Sequence, residues 1–409
     1  MFTRFILLFS LLSSALPTYA GLLTLDNAML LAVTNQPQLT AQNALINARQ
    51  QSVIADQQLP DPKLKFGISN LPVDTFSLTQ DAMTQTSLSI EQRFPGANKR
   101  VLRGQLAMIN SEQTRTDFDN TVREIKRAAG LAWLDVYTAE QTIRLLQEQQ
   151  AVMRQQITAA NIAYRNAQAT QDSVLGLQNR LSQLIDDELA QQAQVASARA
   201  RLARWIGNVA QTGIELIIPK SPALPPLNQL LAELATHPQL RKYDQVITAT
   251  QTELDLAQAD KNPDWTVELG YAKRGPAYAD MIAAQVSVDL PVFPKNRQDR
   301  NISAKQMMLE NARNQREDSL RNLTAELTSY YNDWQIANRR ISLLETTALP
   351  TARQRIAAIL ISYQNNQANM VSMLETHHAE LDMRLQILSL QVARERARLQ
   401  TYYYAGAQP

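Results

Sequence analysis

The chain of 409 residues has no cysteine, three histidines and only 11 glycines. Without cysteine there is no disulfide, no thiolate nucleophile and no attachment point for a cysteine-linked lipid. No glycine-rich phosphate loop or nucleophile elbow is present either, so no catalytic constellation assembles and the reading is a protein that is not an enzyme and needs no cofactor. Charge of one sign is also lacking. The 40 Lys and Arg against 38 Asp and Glu leave +2, with no basic block, which argues against nucleic acid as a partner. No segment beyond the N-terminus approaches the ~18 consecutive apolar residues of a membrane helix. A chain of this kind that enters a membrane does so as a β-barrel.

What is abundant is Ala and Gln, in long tracts free of both Gly and Pro, the profile of long helices rather than of an α/β enzyme. The N-terminus reads differently. Arg4 supplies a basic residue, "FILLFSLLSSAL" an apolar stretch and "TYA" a small-residue site before Gly21, so residues 1–20 read as a signal peptide cut after Ala20.

The remainder is written twice. "NQPQL" at 35–39 answers "THPQL" at 236–240, a shift of 201, and Pro62 in "PDPKLKFG" answers Pro263 in "KNPDWTVELG" by the same shift. Phe94-Pro95 answers Phe293-Pro294 at 199, as does "YRNAQATQDSVL" (Tyr164–Leu175) against "YQNNQANMVSML" (Tyr363–Leu374). Four landmarks in one order mark a tandem duplication. The expected repeats are 21–211 and 227–405, joined by a linker at 212–226 whose Pro219, Pro222, Pro225 and Pro226 cannot continue a helix, with a short tail at 406–409.

Each repeat reads as helix, two strands, one very long helix and a shorter returning helix. Strict alternation predicts strands at 63–69, 86–93, 264–272 and 282–290, each with one apolar and one polar face. Val122, Ile125, Ala129, Ala132, Val136, Ala139, Ile143 and Leu146 follow spacings of three and four, a coiled-coil seam. Leu381, Leu385, Leu388, Val392 and Leu399 form another. The descending tract 97–166 would span roughly 105 Å and the returning tract 172–206 roughly 50 Å. Helices near 226–259 and 26–58 are expected to cover the rest, giving a tube some 100 Å long. Pro350 should bend the second descending tract locally. The tips fall near 166–172 and 365–371, where Asp172 or Ser173 is the expected N-cap. Four strands cannot close a barrel, for which about eight are needed. Either several copies share one barrel or the strands form two small soluble sheets.

At these residues the chain resembles the TolC family of outer membrane efflux channels. The resemblance rests on the duplication, "NQPQL", "LPDP" before the first strand, "FPGANKR" opening the first long helix, and Y-x-N-x-Q-A before S-x-L at both tips. It implies a mainly α protein with a small β part. Three copies would build a coiled-coil periplasmic tunnel and one 12-stranded barrel in the outer membrane of a Gram-negative bacterium. The implied partners are two further copies of the chain, outer membrane lipid, a periplasmic adaptor and an inner membrane pump of the resistance-nodulation-division type. Glu375, Ser372 and Asp172 become candidates for the gate at the tip. Tyr164, Asn166, Gln168, Ser173, Leu175, Tyr363, Asn365, Gln367, Ser372 and Leu374 become candidates for adaptor docking. The family often has Gly before the tip, where this chain has Ala167 and Asn366.

"FPGANKR" looks most like the heavy-metal branch of that family. Met370, Met373 and His377, at i, i+3 and i+7, present ligand types that suit Cu(I) or Ag(I), although core packing explains such a stripe more often. A different class of function, a soluble periplasmic coiled-coil adaptor or spacer, would require the strands to form a water-soluble module.

Overall fold

The computed structural model describes residues 22–34, 36–218, 223–365, 367–368 and 370–405, the side chain of Val371 excepted. The signal-peptide reading of 1–20, the tail 406–409, and Pro219 and Pro222 of the linker lie outside the described residues. The elements in order are α1 (Leu25–Val33), α2 (Pro37–Asp56), β1 (Lys63–Ser69), β2 (Gln85–Phe94), α3 (Lys99–Arg165) and α4 (Gln171–Ile206). They continue with α5 (Leu227–Glu233), α6 (Pro238–Ala259), β3 (Trp265–Arg274), β4 (Met281–Val288), α7 (Gln298–Leu343), α8 (Leu349–Gln364) and α9 (Met370–Ala405). The fold is mainly α, and the same order of parts occurs twice.

Each expected entry helix is in fact two helices. α1 gives way to α2 at Gln36-Pro37, and α5 to α6 through a 3-10 turn ending at His237-Pro238. The physical reason is the repeated motif itself. Its proline lacks an N–H and disfavours a helical residue before it, so it serves as the first residue of a new helix instead of continuing the old one.

α3 holds 67 residues in one helix. Its counterpart is interrupted: α7 of 46 residues, a π turn of five at Leu344–Ala348, and α8 of 16. Pro350 accounts for the break. It cannot donate to the carbonyl four residues back, and just before it the Leu349 N–H bonds Leu344 O, five residues back. The returning helices α4 and α9 both run 36 residues.

The chain divides into two compact units. One comprises the residues up to Thr34, Ile125–Ala223 and Gln335–Arg396; the other comprises Asn35–Glu124, Leu224–Trp334 and Ala397 onward. In the first unit most of the α3 seam is buried as its spacing predicts: Ile125, Ala129, Ala132, Val136, Ala139 and Leu146 are all under a tenth exposed, while Ile143, like Val122 before it, is half-buried. Trp133, fully buried, donates its indole N–H to Leu23 O at 2.9 Å, and Leu23 bridges to Ile214. Arg199 ties down the chain after α4 through Ala210 O and Thr212 O.

The second unit contains the sheet, which is single, antiparallel and ordered β1-β2-β3-β4. β2 and β3 come from different repeats and pair from Gln85↔Arg274 to Phe94↔Trp265, which rules out two separate small sheets. Where β2 runs into α3, one carboxylate organises the turn. Asp264, just before β3, accepts the Gly96 N–H at 2.8 Å, Lys99 Nζ at 2.8 Å and Arg93 at 2.7 Å. Lys99 also donates to Asn262 O at 2.8 Å. Burial pushes the Asp264 carboxyl up, but the Gly96 amide, Lys99 and Arg93 more than offset this and hold it at about 2. Gly96 is required by close backbone approach, because a Cβ there would lie 2.0 Å from Pro263 O.

Asp264→Asn leaves the buried Lys99 ammonium short of its main counter-charge. The expected cost is about 3 kcal/mol, read as a lower unfolding midpoint, whereas Asp289→Asn, at a side chain 75% exposed, should change little.

Candidate functional site

Both long descending helices end in the same hydrogen-bonded turn. At the first, Gln168 N–H bonds Ala163 O at 2.8 Å and Ala167 N–H bonds Tyr164 O at 3.0 Å, the Schellman pattern. At the second, Gln367 N–H bonds Ser362 O at 2.8 Å, the same link 199 residues later. Ala167 takes the left-handed conformation at φ 55°, which the pattern demands and which glycine adopts without strain. Asn366 lies outside the described residues.

The N-cap of α4 is Thr170, not Asp172 or Ser173. Its hydroxyl accepts the Ser173 N–H at 3.3 Å and pairs with the Ser173 hydroxyl at 2.8 Å. The helix begins one residue earlier than the sequence suggested, so Asp172 falls in the first turn. There it is exposed and its charge complements the free amides of the helix start.

The two copies of the turn differ in burial. Tyr164 and Leu175 are about half exposed, at 46% and 53%, and Asn166 and Gln168 face solvent. Tyr363 and Leu374 instead pack on an apolar cluster that includes Leu146, Met153, Leu177, Leu184, Met370 and Met373. Asn365 and Gln367 are exposed. Ser372 is half-buried, its carbonyl accepting Thr376 Oγ1 at 2.7 Å, and Ser173 is likewise half-buried.

Glu375 is exposed at the mouth of a cleft of about 390 Å³ between α3, α4 and α9. The cleft is also lined by Gln149, Arg180, His377, His378 and Asp382. His378 Nδ1 lies 2.7 Å from Asp382 Oδ2. Burial pushes the His377 imidazole below its usual pKa, against the opposing charge of Glu380. Met370 and Met373 are 5% and 4% exposed, so their thioethers sit within the apolar cluster while His377 opens on the cleft. Among the described residues no group of three His, Asp or Glu side chains is arranged to hold a metal ion. His237 is occupied structurally: Nδ1 caps α6 by accepting the Gln239 N–H, and Nε2 meets Tyr403 O at 3.2 Å. Burial, helped by Arg123, lowers its pKa to about 4.

The sheet carries a second candidate region, with the apolar and polar faces that alternation predicts. Leu64, Phe66, Ile282 and Val286 on one face are 60–84% exposed to solvent in the single chain. The other face holds Lys63, Lys65, Glu91 and Glu268. Lys65 pairs with Glu91 and, at 2.7 Å, with Glu268, whose other oxygen accepts the Ser89 hydroxyl at 2.6 Å. The sequence shows these residues on polar faces; only the strand register shows them meeting.

Four similarities, to one family and three known proteins, agree with this geometry. The profile of the family described as outer membrane efflux protein matches residues 230–407. The cobalt-zinc-cadmium resistance protein CzcC of Cupriavidus metallidurans is 24% identical over 394 residues, covering 91% of this chain and 87% of that protein. The crystal structure of the outer membrane protein VceC from Vibrio cholerae superposes with a TM-score of 0.80 at 17% identity, covering 94% of this chain and 96% of the other. CusC, solved in a study of folding and transmembrane channel formation, gives a TM-score of 0.78 at 13% identity, covering 94% and 92%.

The left-handed alanine yields a direct test. Ala167→Gly should relieve about 1 kcal/mol of backbone strain, seen as a raised unfolding temperature and slower hydrogen exchange of the Gln168 amide. An unchanged or lowered temperature would show that the turn bears no such strain.

Proposed function

We propose that the chain is an outer membrane efflux protein and that three copies form a passive exit duct for substrates that an inner membrane pump and a periplasmic adaptor deliver. The observation that carries this is the sheet. It has an exposed apolar face, an ion-paired polar face and, among the described residues, no partner for the outer edge of β1 or of β4. An apolar face of this extent suits lipid, and a polar face opposite it suits a water-filled lumen. Open edges cannot face hydrocarbon, because each unpaired N–H and C=O there costs several kcal/mol. Joining β4 of one chain to β1 of the next satisfies both edges, and three chains supply 12 strands. A soluble adaptor would leave the same apolar face in water with nothing to cover it.

The helix turns are the proposed periplasmic tip. Tyr164, Leu175, Asn166 and Gln168, being exposed, are the proposed adaptor contacts of the first turn. Ser173, Tyr363, Asn365, Gln367, Ser372 and Leu374 are those around it and in the second. Glu375, with Ser372 and Asp172 nearby in the tip, is the proposed gate carboxylate; a ring of three would favour cations at a constriction. Heavy-metal cations are the proposed cargo, on the strength of the named resistance protein that this chain resembles along most of its length. Met370, Met373 and His377 remain a weaker proposal for transient metal contact, since both thioethers are packed away from solvent.

In cells, the protein should fractionate with the outer membrane as a heat-modifiable trimer, and recovery only as a soluble periplasmic species would overturn the channel. Deleting the gene should sensitise the cell to cobalt, zinc or cadmium; unchanged tolerance would argue for another cargo. In planar bilayers, Glu375→Gln should raise single-channel conductance or reduce cation preference. If neither moves, Glu375 is an ordinary surface residue.

A further inference from the structure

Glu91 and Glu268 are direct cross-strand partners in the β2–β3 register. Like charges placed so repel, and such a pair is ordinarily destabilising. Lys65 resolves the conflict from a third strand. Its own partner on β2 is Ser89, and Ser89 is in turn opposite Gly270 on β3. These two small residues leave room for the lysine stem to lie across the sheet, and Gly270 is close enough to β2 that a Cβ would sit 3.2 Å from that of Ser89. The ammonium then reaches both carboxylates, Glu91 and, at 2.7 Å, Glu268. Lys63 adds a looser contact to Glu91 at 3.6 Å with its side chain 74% exposed. The belt of Lys63, Lys65, Glu91 and Glu268 is therefore neutral in each chain.

We propose that Lys65 is a built-in counter-ion that keeps the lumenal face of the barrel from trapping cationic cargo. The inference rests on the channel reading, in which this face lines the lumen and the belt repeats in every copy. A conducting path must bind its ions weakly enough to release them. Two facing carboxylates without a fixed cation would be a place where a multivalent cation stops. With the lysine ammonium already between them, both carboxylates are occupied and the cargo passes a surface with no net charge. The two glutamates are thereby free to brace the seam between the repeats without acting as a binding site. Lys65 is a specificity-determining residue in this sense, and its role is electrostatic, so arginine should replace it.

The test uses the full-length trimer in planar bilayers, with La3+ added on the side of the β1–β2 loop. Lys65→Gln should be blocked at a La3+ concentration about tenfold lower than wild type, the scale of one uncompensated unit charge at a few ångströms in a partly aqueous site. Lys65→Arg should match wild type, and Lys65→Gln combined with Glu268→Gln should return to wild-type sensitivity. Equal block of Lys65→Gln and wild type would overturn the counter-ion role while leaving the channel intact. Absence of current from wild-type trimers would overturn the channel reading itself. Should Lys65→Gln fail to assemble, the double change Glu91→Gln and Glu268→Gln provides the opposite readout. Its surplus of lysine should move the reversal potential in a KCl gradient toward anion preference, and an unmoved potential would again overturn the proposal.

Discussion

The pairing of β2 with β3 is the interaction on which the rest of the structure depends. It takes one strand from each copy of a duplicated sequence and makes a single sheet of four. Had each hairpin paired only with itself, the apolar faces would belong to two small ribbons, and isolated two-strand ribbons are marginal in water. Once joined, the sheet has too few strands to close and two edges that hydrocarbon will not tolerate. In the proposed channel, oligomerisation would thus be a consequence of backbone hydrogen bonding and lipid solvation, in addition to any side-chain affinity between chains.

Much of the architecture was legible because it is periodic. Alternation over Leu64–Ile68 and spacings of three and four over Ile125–Leu146 report directly on which side chains leave water, and the structure buries or exposes them accordingly. The duplication was legible because the same turn chemistry is needed twice, and the repeated Schellman link at Gln168 and Gln367 is that chemistry. Boundaries were harder. The prolines of "NQPQL" and "THPQL" fall inside the helices expected near 26–58 and 226–259, whereas each in fact begins a new one. The apolar periodicity continues across the break, so pattern alone does not reveal it.

The candidate site was legible only where function follows from a single segment. Tip residues could be named because they lie between two helices in sequence. The cap could not be fixed, because Thr170, Asp172 and Ser173 are all competent and the choice depends on where the helix geometry begins. The meeting of the charges on the polar face of the sheet escapes the sequence for a different reason. Lys65 and Glu268 are 203 residues apart, and no spacing rule connects residues whose proximity depends on inter-strand register.

The Asp264 clamp has a consequence for assembly. By the duplication, Lys63 stands where Asp264 does and Lys295 where Gly96 does. The second junction therefore has neither the acceptor nor the glycine that the first one uses. Each chain carries this latch at the seam between its own repeats, and in the proposed ring of three the seams between chains would be without this particular one. Such a ring would then be stiffer within each stave than between staves, much as a cask flexes between its boards.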